Sequence, residues 1–250
     1  MEKDLYPMCA KCSKRICDPF NEIGTEPPSI EEAPAFCPMR LKPEILEKAM
    51  VEYERNDIKE LARLASLQEA ECYEWIPTGV GDRLGIRTKI PRVEETIQFA
   101  QKMDYHKLGI AFCIGLENEA RGLDRILENR GFQVVSVCCK TGRVDKERIG
   151  LSREETIGGP KGHLYYESMC SPIAQAEILN SEKVDLAILL GLCVGHDTLF
   201  IKYCKVPMTV LVVKDRVFGH NPAAAIYLSS APYYGRLMTK PPKKHSERED

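Results

Sequence analysis

Apolar residues recur at helical spacing in the stretch that runs from Pro43 to about residue 104. Three amphipathic helices are predicted there, beginning near Pro43, after Asn56-Asp57 and at Pro91. Proline suits the first turn of a helix because the backbone N–H that it lacks would have no partner there. A glycine-containing stretch at residues 77–89 interrupts the helical pattern. We therefore expect a helical connector over residues 42–104.

From residue 105 onward, short apolar runs alternate with helical stripes. Strands are predicted at residues 108–114, 132–139, 184–192 and 207–213, and helices at residues 117–129, 172–180, 197–204 and from Asn221-Pro222. Strands that are apolar on both faces are typical of a parallel sheet covered by helices. The prediction for residues 105–235 is an α/β fold with a small, doubly wound, flavodoxin- or Rossmann-like parallel sheet.

Two further segments follow neither pattern. Residues 140–169 form a long glycine-bearing insertion, and loops of that length are commonly lids or binding loops. The end of the chain, residues 236–250, is charged and proline-bearing, and we expect it to be disordered.

Charge and hydropathy limit the classes of partner. The 250 residues carry 35 Lys and Arg against 37 Asp and Glu, a net charge of −2, so no general attraction to nucleic acid or to an anionic membrane is expected. The apolar runs are far shorter than the roughly 18 residues that a membrane span needs. The first residues, Met1 to Asp4, are acidic and polar rather than a basic flank of an export signal. These features predict a cytoplasmic protein.

Cysteine is the unusual component, with 11 in the chain. In a reducing compartment these thiols are not expected to form a disulfide framework, so metal binding, redox chemistry or burial must account for them. Residues 1–41 contain Cys9, Cys12, Cys17 and Cys37 in a segment with too little apolar content for a core. Four soft ligands this close together predict a metal site whose binding energy folds the segment, with zinc as the default metal. The alternative is four unligated thiols on a loose arm.

A second group of cysteines lies where the predicted strands end. Cys113, Cys139 and Cys193 follow three strands, and Cys170 precedes the predicted helix cap Ser171. Because parallel sheets bind ligands outside the carboxyl ends of their strands, these thiols should converge on one crevice and hold an iron–sulfur cluster or zinc. Side chains alternate along a strand, so only one of Cys138 and Cys139 can face the crevice, and Cys139 is favoured because it is nearer the loop. Simple burial of cysteine in the core is the alternative.

Other residues near this crevice are candidates for binding or catalysis. His196 and Asp215 follow the third and fourth strands and are the candidates for catalysis. His196 could donate a proton, ligate a metal or simply lie next to a helix cap. Gly115 and Gly195 lie at predicted helix starts, where backbone amides could face an anionic ligand.

Five motifs in order resemble one known family. They are Leu108 to Gly115, Ser136 to Lys140, Met169-Cys170 with the helix from Pro172 to Glu177, Gly191 to Asp197, and Val212 to Val217 followed by Gly219 to Pro222. Together they resemble a family of uncharacterised, predicted metal-binding proteins of bacteria and archaea, known only as a domain of unknown function. The resemblance implies metal binding through the cysteines and assigns no reaction.

The sequence therefore predicts a metal-binding protein with an N-terminal four-cysteine site and a second cysteine cluster at the strand ends, suited to redox or sulfur-transfer chemistry with a small-molecule or redox partner. The alternative is a zinc-stabilised α/β module that binds or senses a small anionic ligand without catalysis. A nucleic-acid binder is disfavoured because acidic residues follow the basic ones near the first cysteines.

Overall fold

The computed structural model describes residues 5–18, 26–80, 84–163, 165–231 and 235–238. The chain divides into two compact units, residues 1–70 and residues 71–250. This division differs from the predicted boundaries after residues 41 and 104. Of the tail predicted to be disordered, residues 239–250 lie outside the described residues, and Gly235–Leu237 form a single 3₁₀ turn.

The first unit is built from short elements with few buried side chains. Its 3₁₀ turns are Cys9–Lys11 and Ile30–Glu32, and its helices are α1 (Pro38–Leu41), α2 (Pro43–Glu52) and α3 (Asn56–Glu71), of which α3 runs to the boundary. Among the described residues before position 71, only Ala33, Leu64 and Gln68 are buried. This part of the chain therefore has little hydrophobic core of its own.

A two-stranded hairpin lies between the second and third helices of the connector, where the sequence indicated only a glycine-containing interruption. Strand β1 (Tyr73–Pro77) pairs with β2 (Leu84–Thr88) in antiparallel register, with Trp75 opposite Ile86. Its two strands are short, so their apolar pattern is less evident in the sequence than the helical patterns on either side. The helix predicted after it is confirmed as α4 (Arg92–Lys102).

A four-stranded parallel sheet forms the centre of the second unit, which confirms the α/β prediction. Its strands are β3 (Lys107–Phe112), β4 (Gln133–Cys138), β5 (Leu186–Leu190) and β6 (Met208–Val212), and its helices are α5 (Glu117–Asn129), α6 (Pro172–Ser181), α7 (His196–Tyr203) and α8 (Ala223–Tyr227). The spatial order is β4-β3-β5-β6. The order reverses at β3, whose neighbours are β4 on one side and β5 on the other, so a crevice is expected beyond the carboxyl ends of β3 and β5.

The core of this unit lies around β3 and β5. Every residue of β5 is buried, and α5 adds the buried side chains of Ala120, Leu123 and Leu127. Gly109 of β3 lets α6 approach closely, since a Cβ there would lie 2.9 Å from the methyl groups of Leu179. The predicted strands extended a few residues past the real ends, and those extra residues are the loops that carry the cysteines.

Ion pairs within the insertion at residues 140–169 connect different parts of this loop. Lys146 pairs with Glu167, and both side chains are mostly buried. Arg153 donates to Asp145 at 2.9 Å and also pairs with Glu147. The described residues of this loop thus form an ordered surface feature with three 3₁₀ turns, at Lys146–Ile149, Arg153–Glu155 and Gly159–Lys161. Within the described ranges, no helix has the length and apolar character to cross a bilayer.

Candidate functional site

Three thiols from three separate segments meet beyond the sheet. Cys113 follows β3, Cys139 follows β4, and Cys170 lies just before α6. Cys113 and Cys170 are the two side chains that most affect the pKa of the Cys139 thiol. We refer to Cys113, Cys139 and Cys170 as the crevice cluster.

Backbone hydrogen bonds fix the loops that carry the crevice cluster. The Cys139 N–H donates to the carbonyl of Phe112 at 2.9 Å, and the Cys113 N–H donates to the carbonyl of Leu190 at 3.2 Å. The Ser171 N–H donates to the carbonyl of Cys139 at 2.7 Å. Ser171 occupies the predicted cap position of α6, but its side chain makes no capping hydrogen bond. The main chain, rather than side-chain capping, holds the three segments together.

The thiols of the crevice cluster have unequal acidity. The hydrogen bond with Cys139, followed by the Gly115 N–H and the Lys214 ammonium, lowers the pKa of Cys113 to about 5 against the opposing effect of burial. The pKa of Cys170 is lowered to about 5 mainly by Cys139 and then by the charges of Lys140 and His196, again against burial.

Cys139 shows the opposite shift, because its hydrogen bonds to the two neighbouring sulfurs and its burial raise its pKa. The Ile114 N–H also donates to the Cys139 sulfur at 3.3 Å. The shifts therefore favour the thiolate at Cys113 and Cys170 and the thiol at Cys139.

Two cations lie beside the crevice cluster, and a third lies beside Cys193. Lys214 contacts Cys113, and Lys140 donates to the Ser168 carbonyl beside Cys170. Arg216 Nη2 donates to the Cys193 sulfur at 2.8 Å. In the part of the chain that the structure describes, none of these cations is in ion-pair contact with a carboxylate. Lys140 and Lys214 thus place positive charge beside the two thiols whose pKa is lowered, although the whole chain is nearly neutral.

Cys193 lies at the same end of the sheet but is not bonded to the crevice cluster. Among the hydrogen bonds of the described residues, its sulfur is joined to Arg216. The turn that precedes Cys193 requires a glycine. Gly191 has a φ of +67°, and a Cβ there would lie 2.8 Å from the Leu116 side chain. The expected convergence of four cysteines is therefore observed for three, with Cys193 held by a cation near the same strand ends.

The two candidate proton carriers differ in their surroundings. His196 begins α7 and its charge acts on Cys170. The Asp215 carboxylate stabilises its own loop, because it accepts hydrogen bonds from the N–H groups of Val217 at 2.8 Å and Phe218 at 2.9 Å. The Asp215 N–H donates to His220 Nδ1 at 3.1 Å. Asp215 thus shapes the loop that presents Lys214 and Arg216.

The two candidate glycine amides are already engaged by protein groups. The Gly195 N–H donates to the Asp197 carboxylate at 2.9 Å, and the Gly115 N–H bonds to the Cys113 sulfur. Gly115 matters for a different reason: a Cβ there would lie 3.2 Å from Lys214 Nζ, so the absence of a side chain lets that cation approach Cys113.

The four N-terminal cysteines come together in the first unit. Cys9, Cys12, Cys17 and Cys37 line one cavity of about 350 Å³. Cys9 and Cys12 share a 3₁₀ turn in which the Cys12 N–H donates to the Cys9 carbonyl at 3.0 Å. Throughout the described residues, no group of three or more His, Cys, Asp or Glu side chains is already arranged to hold a metal ion.

Several residues of the site carried no signal in the sequence. Lys140, Lys214 and Arg216 are single basic residues in loops, and only their nearness to Cys139 and Asp215 could have drawn attention to them. Gln175 of α6 is fully buried, and its amide N–H₂ donates to the carbonyls of Phe112 at 3.1 Å and Val137 at 2.7 Å. It fixes the ends of β3 and β4 just before the cysteines.

Comparison with known proteins places the chain in a family without an assigned activity. A family model described as "Protein of unknown function (DUF1847)" matches residues 37–211. The chain belongs to this family. It is also 39% identical over 219 residues to "Uncharacterized protein MJ0455" of Methanocaldococcus jannaschii, an alignment that covers 88% of this chain and 93% of that protein. The family match includes the crevice cluster and Cys193, and of the N-terminal cysteines it includes Cys37.

Proposed function

We propose that this protein binds metal at two separate sites, one formed by the crevice cluster and one by Cys9, Cys12, Cys17 and Cys37. The observation that carries the proposal is the meeting of three thiols from three segments, two of them with a lowered pKa, beside the cations Lys140 and Lys214. Thiolate is the form of cysteine that ligates metal, and sulfur ligands favour zinc or iron–sulfur clusters over magnesium or calcium.

The residues of the crevice fit such a group. Cys113, Cys139 and Cys170 provide three sulfur donors, and the nearby N–H groups of Ile114 and Gly115 point at sulfur, as backbone amides do around iron–sulfur clusters. Three protein sulfurs leave one ligand position for Cys193 or for a small molecule. An open position of this kind is what redox or sulfur-transfer chemistry with a small-molecule partner requires. A doubly wound, flavodoxin-like arrangement of the sheet, with ligands at the reversal of strand order, belongs to the same proposal.

Metal analysis of the crevice variants tests this function. Protein purified without oxygen is assayed for iron, zinc and acid-labile sulfide, and its visible absorption spectrum is recorded. Cys113→Ser and Cys139→Ser should each lose metal relative to the wild type. Cys204→Ser is the control, because Cys204 is partly buried and its sulfur is bonded to the Val206 carbonyl. Unchanged metal and colour in both crevice variants would exclude a metal site in the crevice.

A second function is favoured by the cations alone. Lys140, Lys214 and Arg216 could bind a small anion at the rim of the crevice, with zinc serving only to stabilise the fold. On that view the purified protein is colourless, contains zinc without sulfide, and is stabilised against heat by inorganic phosphate or sulfate. Arg216→Gln would abolish that stabilisation, whereas in the first function it leaves the metal content of the crevice cluster intact.

A further inference from the structure

The N-terminal cavity is larger than a single-ion site. In a tetrahedral zinc site each sulfur lies about 2.3 Å from the metal, so no two sulfurs are farther apart than about 4.6 Å and no cavity remains between them. Here the four cysteines line a space of about 350 Å³. That space is many times the roughly 30 Å³ that one water molecule occupies in the liquid.

Backbone hydrogen bonds fix the turns that carry three of the four cysteines. Cys37 precedes α1, and its N–H donates to the Pro34 carbonyl at 2.8 Å. The Arg40 guanidinium donates to the Ala33 carbonyl at 2.8 Å and so closes the turn in front of Cys37. Cys9 and Cys12 are fixed on their own 3₁₀ turn. Cys37 and the pair Cys9 and Cys12 therefore line the cavity from two separately hydrogen-bonded turns.

We propose that this cavity holds a polynuclear iron–sulfur cluster, ligated by Cys9, Cys12, Cys17 and Cys37, rather than the single zinc ion that the sequence favoured. Four cysteine thiolates are the usual ligand set of such clusters, which place their ligand sulfurs around a core of several atoms. The inference rests on the proposed function, since it specifies which metal group one of the two cysteine sites takes.

The lining of the cavity combines apolar side chains with a cation. Ile16, Phe36 and Met39 contribute apolar side chains to its wall, while Cys9 and Cys17 are exposed. Arg15 lies in the same wall and offsets the negative charge that four thiolates bring. Cluster burial and nearby charge are the features by which a protein adjusts the reduction potential.

The segment also needs a stabilising group. Because so few described side chains before residue 71 are buried, hydrophobic burial alone provides little free energy for this unit. Metal binding to an otherwise unfolded segment contributes its binding free energy to folding.

The experiment uses the full chain with the crevice cluster removed. The triple variant C113S/C139S/C170S is purified without oxygen, and iron, sulfide and zinc are measured together with the visible spectrum and the electron paramagnetic resonance of the reduced protein. We expect iron and sulfide in equal amounts and a broad absorption band that bleaches on reduction. Adding C12S and C37S should remove both iron and sulfide, while C204S in place of these two leaves them unchanged.

The outcomes separate this inference from the proposed function. Zinc without sulfide in the triple variant, lost when C12S and C37S are added, would overturn the iron–sulfur assignment and leave metal binding at the N-terminal site standing. No metal in the triple variant, with metal present in the wild type, would overturn the N-terminal site while leaving the crevice site. No metal in the wild type would overturn both. Because the triple variant keeps all four N-terminal cysteines, its own metal and sulfide content is measured with no substitution in the segment.

Discussion

At the scale of single residues, Cys139 is the centre of the crevice. It is only 1% exposed, it contacts two other sulfurs, and its pKa is raised while those of its neighbours are lowered. The raised pKa of Cys139 favours its protonated thiol in the metal-free protein, whereas metal binds the thiolate, so uptake of metal should release acid.

The lowered pKa values predict how the thiols react in protein stripped of metal. The thiolate is the reactive form, and Cys113 and Cys170 with pKa values of about 5 are already ionised at pH 7. Their alkylation rates, followed by mass spectrometry of peptides after iodoacetamide treatment, should fall as the pH is lowered through 5 and should change little between pH 7 and 9. The pKa of Cys204 is raised by burial, so its rate should still be rising above pH 9. Parallel pH profiles for all three cysteines would contradict the lowered pKa values of Cys113 and Cys170.

Gln175 gives a second prediction at this scale. Its amide donates to two strand-end carbonyls, and in the Ala variant the Val137 carbonyl loses a buried donor. We expect Gln175→Ala to reduce the free energy of unfolding by about 1–3 kcal/mol in urea denaturation. Gln101→Ala on the exposed face of α4 is the matched control and should change stability little. Equal effects of the two substitutions would show that the hydrogen bonds of Gln175 are not important for the strand ends.

At the scale of elements, the strands and helices that could be predicted are those whose pattern of apolar residues lies within one continuous stretch of sequence. The apolar runs of β3 and β5 could be recognised as strands because both faces of these strands are buried. The convergence of Cys113 and Cys139 followed from the rule that parallel strands end at one edge. The β1–β2 hairpin was missed because its strands are short, and Arg216 was missed because its contact with Cys193 depends on a loop shaped by the Asp215 carboxylate.

Two glycines allow the packing of these elements to be tested. Gly109 of β3 faces α6, and an added Cβ would meet Leu179 at 2.9 Å and Val184 at 3.1 Å. Gly109→Ala should therefore lower the free energy of unfolding by about 1–3 kcal/mol through overpacking. Gly122 lies within α5 with nothing within 4 Å of the same added atom, so Gly122→Ala should raise stability by about 0.5–1 kcal/mol. Effects of the same sign, measured by urea denaturation, would disprove the close approach of α6 to β3.

At the scale of the whole molecule, the two units obtain their stability from different sources. Residues 71–250 contain a buried parallel sheet with helices packed on it, whereas the described residues of 1–70 bury almost nothing. If the N-terminal cysteines bind a metal group, its removal should affect the first unit far more than the second. Stability measured by a single probe would then average two transitions, since two-state behaviour is not expected when a bound metal supports one part only.

Hydrogen exchange read by mass spectrometry resolves the two units. After anaerobic removal of metal with a chelator, amides in α1 and in the turns around Cys9 and Cys37 should lose protection, while β3 and β5 should remain protected, because their protection comes from burial in the sheet. The loops after β3 and β4 should show an intermediate change, since the crevice thiols keep their mutual hydrogen bonds without metal. The variant C12S/C37S should reproduce the loss in the first unit without any chelator. Equal loss of protection across both units would instead mean that metal supports the sheet itself, and the cysteines of the crevice would then be structural ligands rather than an accessible working site.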